Sequence, residues 1–267
     1  MKRRVITAGS LALAALMVIV SLGGILVPST YAAETADWRA QALGQDWFDL
    51  LVAAPWLVVC AVGTMRGVWY WHLLLGGSLL FSLYTFVIYA FSVHFGPLFP
   101  IYCAALGLAF YLSLFLIRDV EVPAVRRDRE LPVRVTGILL LAIGGLFALL
   151  WLAEIAGAIA AGEPPPSLVQ TGLPSNPVHV MDLAIVLPAH VIAGVALLAR
   201  RPAGMRLAPL LLAFGVLMAS SIAGMMIAMR LLRADAALPV AGAMLVVAAV
   251  SALVLARFLR ALQPERC

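Results

Sequence analysis

Along most of its length the chain alternates between long apolar runs and short polar breaks. The runs cover residues 5–27, 47–65, 69–93, 97–117, 135–157, 178–199, 207–229 and 239–259. Each can cross a hydrocarbon core of roughly 30 Å, which takes about 20 helical residues. Because no water reaches that core, a spanning segment must satisfy its own backbone as a helix. The pattern predicts an all-α, polytopic integral membrane protein with eight transmembrane helices.

Composition agrees. Hydrophobic residues make up 64% of the chain and charged residues 12%, too few to cover a soluble domain. Of the 18 Lys and Arg residues, only Arg39, Arg230 and Arg233 fall on the outer side when the N-terminus is placed inside. That asymmetry predicts cytoplasmic N- and C-termini. The lipid bilayer is the expected partner, with other membrane subunits or a small polar solute as further candidates and no nucleic acid. At the start, M-K-R-R before an apolar run and T-Y-A-A-E resembles a secretory signal cleaved after Ala32 or Ala33. A run of about 23 residues exceeds the about 7–15 typical of a signal core. The reading favours a retained anchor over residues 1–33; cleavage would leave seven helices in the same orientation.

The spacing also points to internal duplication. The second run opens D-L-L-V-A-A-P (Asp49 to Pro55) and the sixth D-L-A-I-V-L-P (Asp182 to Pro188), with both Asp and Pro 133 residues apart. F-P-I-Y-C reaches Arg118 eighteen residues after Pro100, and L-P-V-A-G reaches Arg257 eighteen after Pro239. These matches predict a tandem parallel repeat of four plus four helices, residues 1–133 and 134–267. Sites in such folds tend to lie between the halves.

Ionisable groups inside a span are functional candidates. Asp46 reads as a helix cap, which would leave Asp49 in the first turn, where the macrodipole favours an acid. Asn176-Pro177 is a start signal in its own right, so Asp182 lies beyond capping reach. His179 and His190 are eleven residues apart, nearly on one helical face, with His190 ~16 Å deeper. Glu154 follows W-L-A inside an otherwise apolar helix, and Tyr84, Tyr89 and Tyr102 line the outer halves of the third and fourth helices. The candidate ligand- or proton-binding set is Asp182, His190, Glu154, Asp49, His179, Asn176 and Tyr89, an acidic outer vestibule. Pro188 lacks an N–H and its ring presses on the Ala184 carbonyl, so that turn should open. A hydrated pocket is then expected, with Asp182 above, His190 below and Glu154 contributing. The Pro-rich stretch Glu163 to Pro177 reads as an extended lid or a plain connector.

The chain carries no Gly-rich phosphate loop, H-E-x-x-H, G-x-S-x-G or C-x-x-C motif. No catalytic residue, metal site or cofactor is therefore assigned, and the reading leans away from an enzyme. The blocks G-Q-D-W-F-D-L-L (Gly44 to Leu51), L-Y-T-F-V-I-Y-A-F, F-G-P-L-F-P-I-Y and N-P-V-H-V-M-D-L resemble a recurring group of bacterial multi-pass membrane proteins with no assigned activity. The resemblance implies a bacterial inner-membrane address and no residue roles. Three functions fit: a carrier-like protein for a small solute, ion or proton; an interaction or assembly subunit; and a lipid- or quinone-linked enzyme or redox component.

Overall fold

The computed structural model describes residues 2–119, 122, 124–125, 130–232 and 238–263. The basic stretch 126–129, Arg233, Asp235, Arg266 and Cys267 lie outside the described residues. Among the described residues the protein is helical apart from one two-residue ladder, and eight of these helices are long and apolar enough to cross a membrane. These are α1 (Lys2–Leu26), α2 (Ala36–Met65), α3 (Trp69–Ser92), α4 (Phe99–Asp119), α5 (Glu130–Ala161), α7 (Pro177–Leu198), α8 (Pro202–Leu231) and α9 (Leu238–Ala261). A short helix, α6 (Pro166–Thr171), lies between α5 and α7. Strands β1 (Ala124–Val125) and β2 (Leu262–Gln263) pair antiparallel.

The chain forms two compact units, and no clear four-plus-four arrangement is shown among the described residues. The first comprises residues 1–120 and 212–252. In it α1 packs on α2 and α4, and α3 packs on α2 and α4, closing a four-helix ring. Its core is aliphatic and aromatic: Leu13, Met17, Leu57, Leu73, Leu79, Phe81, Phe86 and Leu116 are fully buried. The α2–α3 turn passes through Gly67 at φ +81°, a left-handed conformation that costs glycine little. The 212–252 segment joins this unit through Phe214, whose ring lies 5.9 Å from that of Tyr84, and through Met225, whose backbone Gly44 meets closely.

The second unit comprises residues 121–211 and 253–267. Its centre is the α5–α7 pair. Gly137 and Gly144, seven residues apart on α5, face Leu198, Val191 and the Leu187 carbonyl, while Gly194 of α7 meets the Gly137 carbonyl. Lipid tails are as apolar as leucine, so spanning helices associate by close packing, which small residues permit.

Three expectations require correction. The second helix does not begin near residue 47 with Asp46 as its cap. It begins at Ala36, capped by Thr35, whose hydroxyl accepts from the Trp38 amide at 3.2 Å. Residues 36–48 are too polar to register as a span, yet they bury Trp38, Ala42, Asp46 and Phe48 against protein. Asp49 therefore lies well inside the helix and not in its first turn. The Pro-rich stretch 163–177 is not extended throughout, because α6 occupies its middle and ends at Gly172 in the left-handed conformation.

Candidate functional site

Both α2 and α7 contain one π-helical turn, Asp49–Ala53 and Asp182–Val186. In each, an aspartate is the first residue of the wide turn, and its carbonyl accepts from an amide five residues on, Ala54 or Leu187. A proline follows directly, Pro55 or Pro188. The cause is local. Proline supplies no N–H to the helical ladder and its ring crowds the preceding turn, so the chain takes up one extra residue there. The turn ahead of Pro188 opens as the sequence suggests, and an equivalent turn opens ahead of Pro55.

In the first unit this turn adjoins a buried polar cluster. Asp46 is 0% exposed and Asp49 3%. The Tyr31 hydroxyl donates to one oxygen of Asp46 at 2.8 Å, and Tyr89 donates to the other at 2.8 Å. The ring of Tyr102 lies 5.3 Å from that of Tyr89. Gln45 Nε2 donates to Asp49 at 2.8 Å, and the same amide's oxygen accepts from Ser221 at 2.7 Å. Among the described residues, no cationic side chain interacts with either carboxylate. Gly24 of α1 makes the arrangement possible, since a Cβ there would collide with the Asp46 carboxylate. Burial, then the nearby Asp46 carboxylate, holds the Tyr31 hydroxyl well above the usual tyrosine range. It stays protonated and remains a donor.

Around this cluster the loops are pinned. The Trp38 indole donates to the Ser92 carbonyl at 2.8 Å, tying the start of α2 to the end of α3. Glu34, itself buried, accepts from the His94 amide at 2.7 Å and meets the His94 ring at 2.9 Å.

The second unit holds most of the residues singled out from the sequence. Asn176 caps α7, its side chain accepting from the Val178 and His179 amides at 3.0 and 3.2 Å. His179 is buried, 3.6 Å from Glu154, with its ring stacked 4.6 Å from Trp151. Trp151 in turn donates from Nε1 to Asp182 at 2.9 Å. Ser167 of α6 donates to Glu154 at 2.6 Å, so the short helix folds back onto α5. The structure thus joins Glu154, His179 and Asp182 through Trp151. His190 is buried with Nδ1 2.7 Å from the Val186 carbonyl, the last residue of the wide turn.

Of the sequence-derived set, Asp49 and Tyr89 belong to the first unit and the other five to the second. Sequence reasoning placed Asp46 and Gln45 only among the polar residues of the outer side, Asp46 as a cap, and passed over Tyr31, Trp151 and Ser221. For Asp46 a signal existed, because it and Asp49 lie one helical turn apart. Gln45, four residues before Asp49, offered the same signal, whereas Tyr31, Trp151 and Ser221 meet their partners from distant points in the chain, which spacing cannot pair. Among the described residues, no three His, Cys, Asp or Glu side chains are arranged to hold a metal ion. No protein-family model matches the chain, and neither a curated protein nor a solved structure matches it.

Proposed function

We propose that this multi-pass membrane protein is carrier-like and that its Asp46–Asp49 pair takes up a proton or a small monovalent cation. The observation that carries the reading is the burial of two carboxylates inside one helix with only neutral partners among the described residues. An uncompensated charge in such a medium is costly, so a buried carboxylate is neutralised by a proton or a cation. Ser21 strengthens the reading. It is fully buried on α1, three residues before Gly24, and its hydroxyl has no hydrogen-bond partner among the described residues. The wide turn beginning at Asp49 adds backbone carbonyls whose regular helical partners are displaced, a feature frequent at functional sites.

Three further elements belong to the proposal. The arginine distribution supports cytoplasmic termini. The resemblance of the sequence blocks supports a bacterial inner-membrane location. The two Asp-to-Pro wide turns, 133 residues apart, support an ancestral duplication of residues 1–133 and 134–267.

Purified protein reconstituted into liposomes, with a pH indicator or a sodium indicator trapped inside, tests the function. Under an imposed membrane potential, the wild type should carry H⁺ or Na⁺ faster than empty liposomes. Asp46→Asn and Asp49→Asn should each reduce that flux about tenfold or more. Wild-type flux equal to that of empty liposomes, or full flux in both variants, would refute the proposal.

A further inference from the structure

A second polar site lies in the second unit, at the end of the bundle where α5 begins and α7 finishes. A cleft of about 540 Å³ is lined there by Glu130, Val133, Arg134, Ile138, Leu198 and Arg200. Its two halves differ chemically. One wall is apolar, made by Val133, Ile138 and Leu198; the rim is ionic.

At the rim, the Glu130 carboxylate turns one oxygen toward Arg200 at 3.4 Å and the other toward Arg134 at 3.8 Å. Both separations exceed those of a tight charge-assisted hydrogen bond. The two guanidinium groups therefore keep donors for another acceptor, and the trio carries one net positive charge. Glu130 holds the arginines on either side of the cleft without satisfying them.

The backbone at Arg200 is unusual as well. Arg200 sits at φ +57° just past the end of α7, among the described residues the one non-glycine residue with positive φ. Its amide donates to the Leu197 carbonyl, and the Arg201 amide donates to Ala196. Helices commonly finish this way, with glycine in the left-handed position. An arginine there strains the backbone that a glycine would not strain, and strain of this kind is retained where the side chain has work to do.

We propose that this cleft seats the headgroup of an anionic phospholipid. The phosphate would lie between Arg134 and Arg200, and the first carbons of an acyl chain would lie along Ile138 and Leu198. Basic pockets between spanning helices take such headgroups, and arginine's planar fork suits phosphate oxygens. Inorganic phosphate accounts for the rim but leaves the apolar wall without a role. A neutral lipid accounts for the wall but leaves both arginines without one.

Native mass spectrometry of the full chain in neutral detergent tests this. Phosphatidylglycerol should bind at least about fivefold more tightly than phosphatidylcholine with the same acyl chains. Arg200→Gly removes the guanidinium and relieves the backbone, so it should fold as well as the wild type. Combined with Arg134→Gln it should abolish the preference. Arg39→Gln combined with Arg230→Gln, which removes an equal charge at exposed positions on α2 and α8, should leave the preference intact. Glu130→Gln removes the competing carboxylate and should tighten phosphatidylglycerol binding. Equal binding of the two lipids would overturn the proposal. So would a preference that survives the double substitution, or weaker binding in Glu130→Gln. Displacement of the lipid by about 10 mM inorganic phosphate would show a simple anion site and overturn the lipid assignment.

Discussion

The two wide turns share a backbone and differ in what surrounds them. Each begins at an aspartate and leads into a proline six residues later. In α2 the aspartate is 3% exposed and held by Gln45, from its own helix. In α7 it is half-buried and held by Trp151, from the neighbouring helix. The residue one turn earlier differs too: Asp46 in α2 and His179 in α7, again 133 positions apart. A proline can thus open a spanning helix, but packing decides what the opening becomes. In the first unit it adjoins a closed pair of carboxylates. In the second it adjoins a partly open set of acid, imidazole and indole.

If closure by packing is the distinction, the largest effect should come from the residue that permits it. Gly24→Val would drive side-chain atoms into the Asp46 carboxylate and the Tyr31 ring. Such overpacking costs about 3 kcal/mol or more at a site with no room to yield. Accumulation of folded protein in membranes should fall sharply. Gly157→Val, at a glycine with nothing within 4 Å, should accumulate normally. Equal accumulation of the two variants would remove the distinction.

The next effect concerns the tyrosines. Tyr31→Phe deletes one of the two hydroxyls that donate to Asp46 and leaves a carboxylate oxygen buried without that donor. Leaving a buried acceptor without its donor costs roughly 1–3 kcal/mol, and a dry site lies at the upper end. Thermal unfolding in detergent should show a clear drop. An unchanged transition would mean that water enters the first cluster.

Accessibility sharpens the same contrast. In a background with Cys60, Cys103 and Cys267 replaced, Glu154→Cys should react with a membrane-impermeant thiol reagent about tenfold faster than Asp49→Cys. Similar rates would show that the two clusters are equally open.

These two regions also differ in how far the sequence discloses them. Eight spans follow directly from the apolar runs, because a membrane imposes one length and one secondary structure on each. The opening ahead of Pro188 follows from proline's missing amide. Asn176 as a cap follows from Asn-Pro. In contrast, the start of α2 at Ala36 is hidden: its first three turns are polar, and they enter the protein where Trp38 and Phe48 are buried and where Tyr31, Tyr89 and Gly24 accommodate Asp46. Reading Asp46 as a cap is the natural result of seeing an acid just before an apolar run. The Trp151–Asp182 bond is hidden for another reason. Trp151 looks like one more aromatic residue in an apolar helix, and only the packing of α5 on α7 shows its N–H turned toward an acid.

That bond supports the smallest prediction. Trp151→Phe removes the Nε1–H that donates to Asp182 while keeping an aromatic ring against His179. Asp182 is half-buried, so water can take over the vacated acceptor position. A replaced hydrogen bond at such a site contributes about 0.5–1.5 kcal/mol, and solvent access places this one at the lower end. The thermal transition should move less than in Tyr31→Phe, and Trp151→Leu, which also removes the stacked ring, should move it further. If Trp151→Phe destabilises as strongly as Tyr31→Phe, the acid in α7 is as dry as the pair in α2. The two wide turns would then differ in partners alone and not in exposure to solvent.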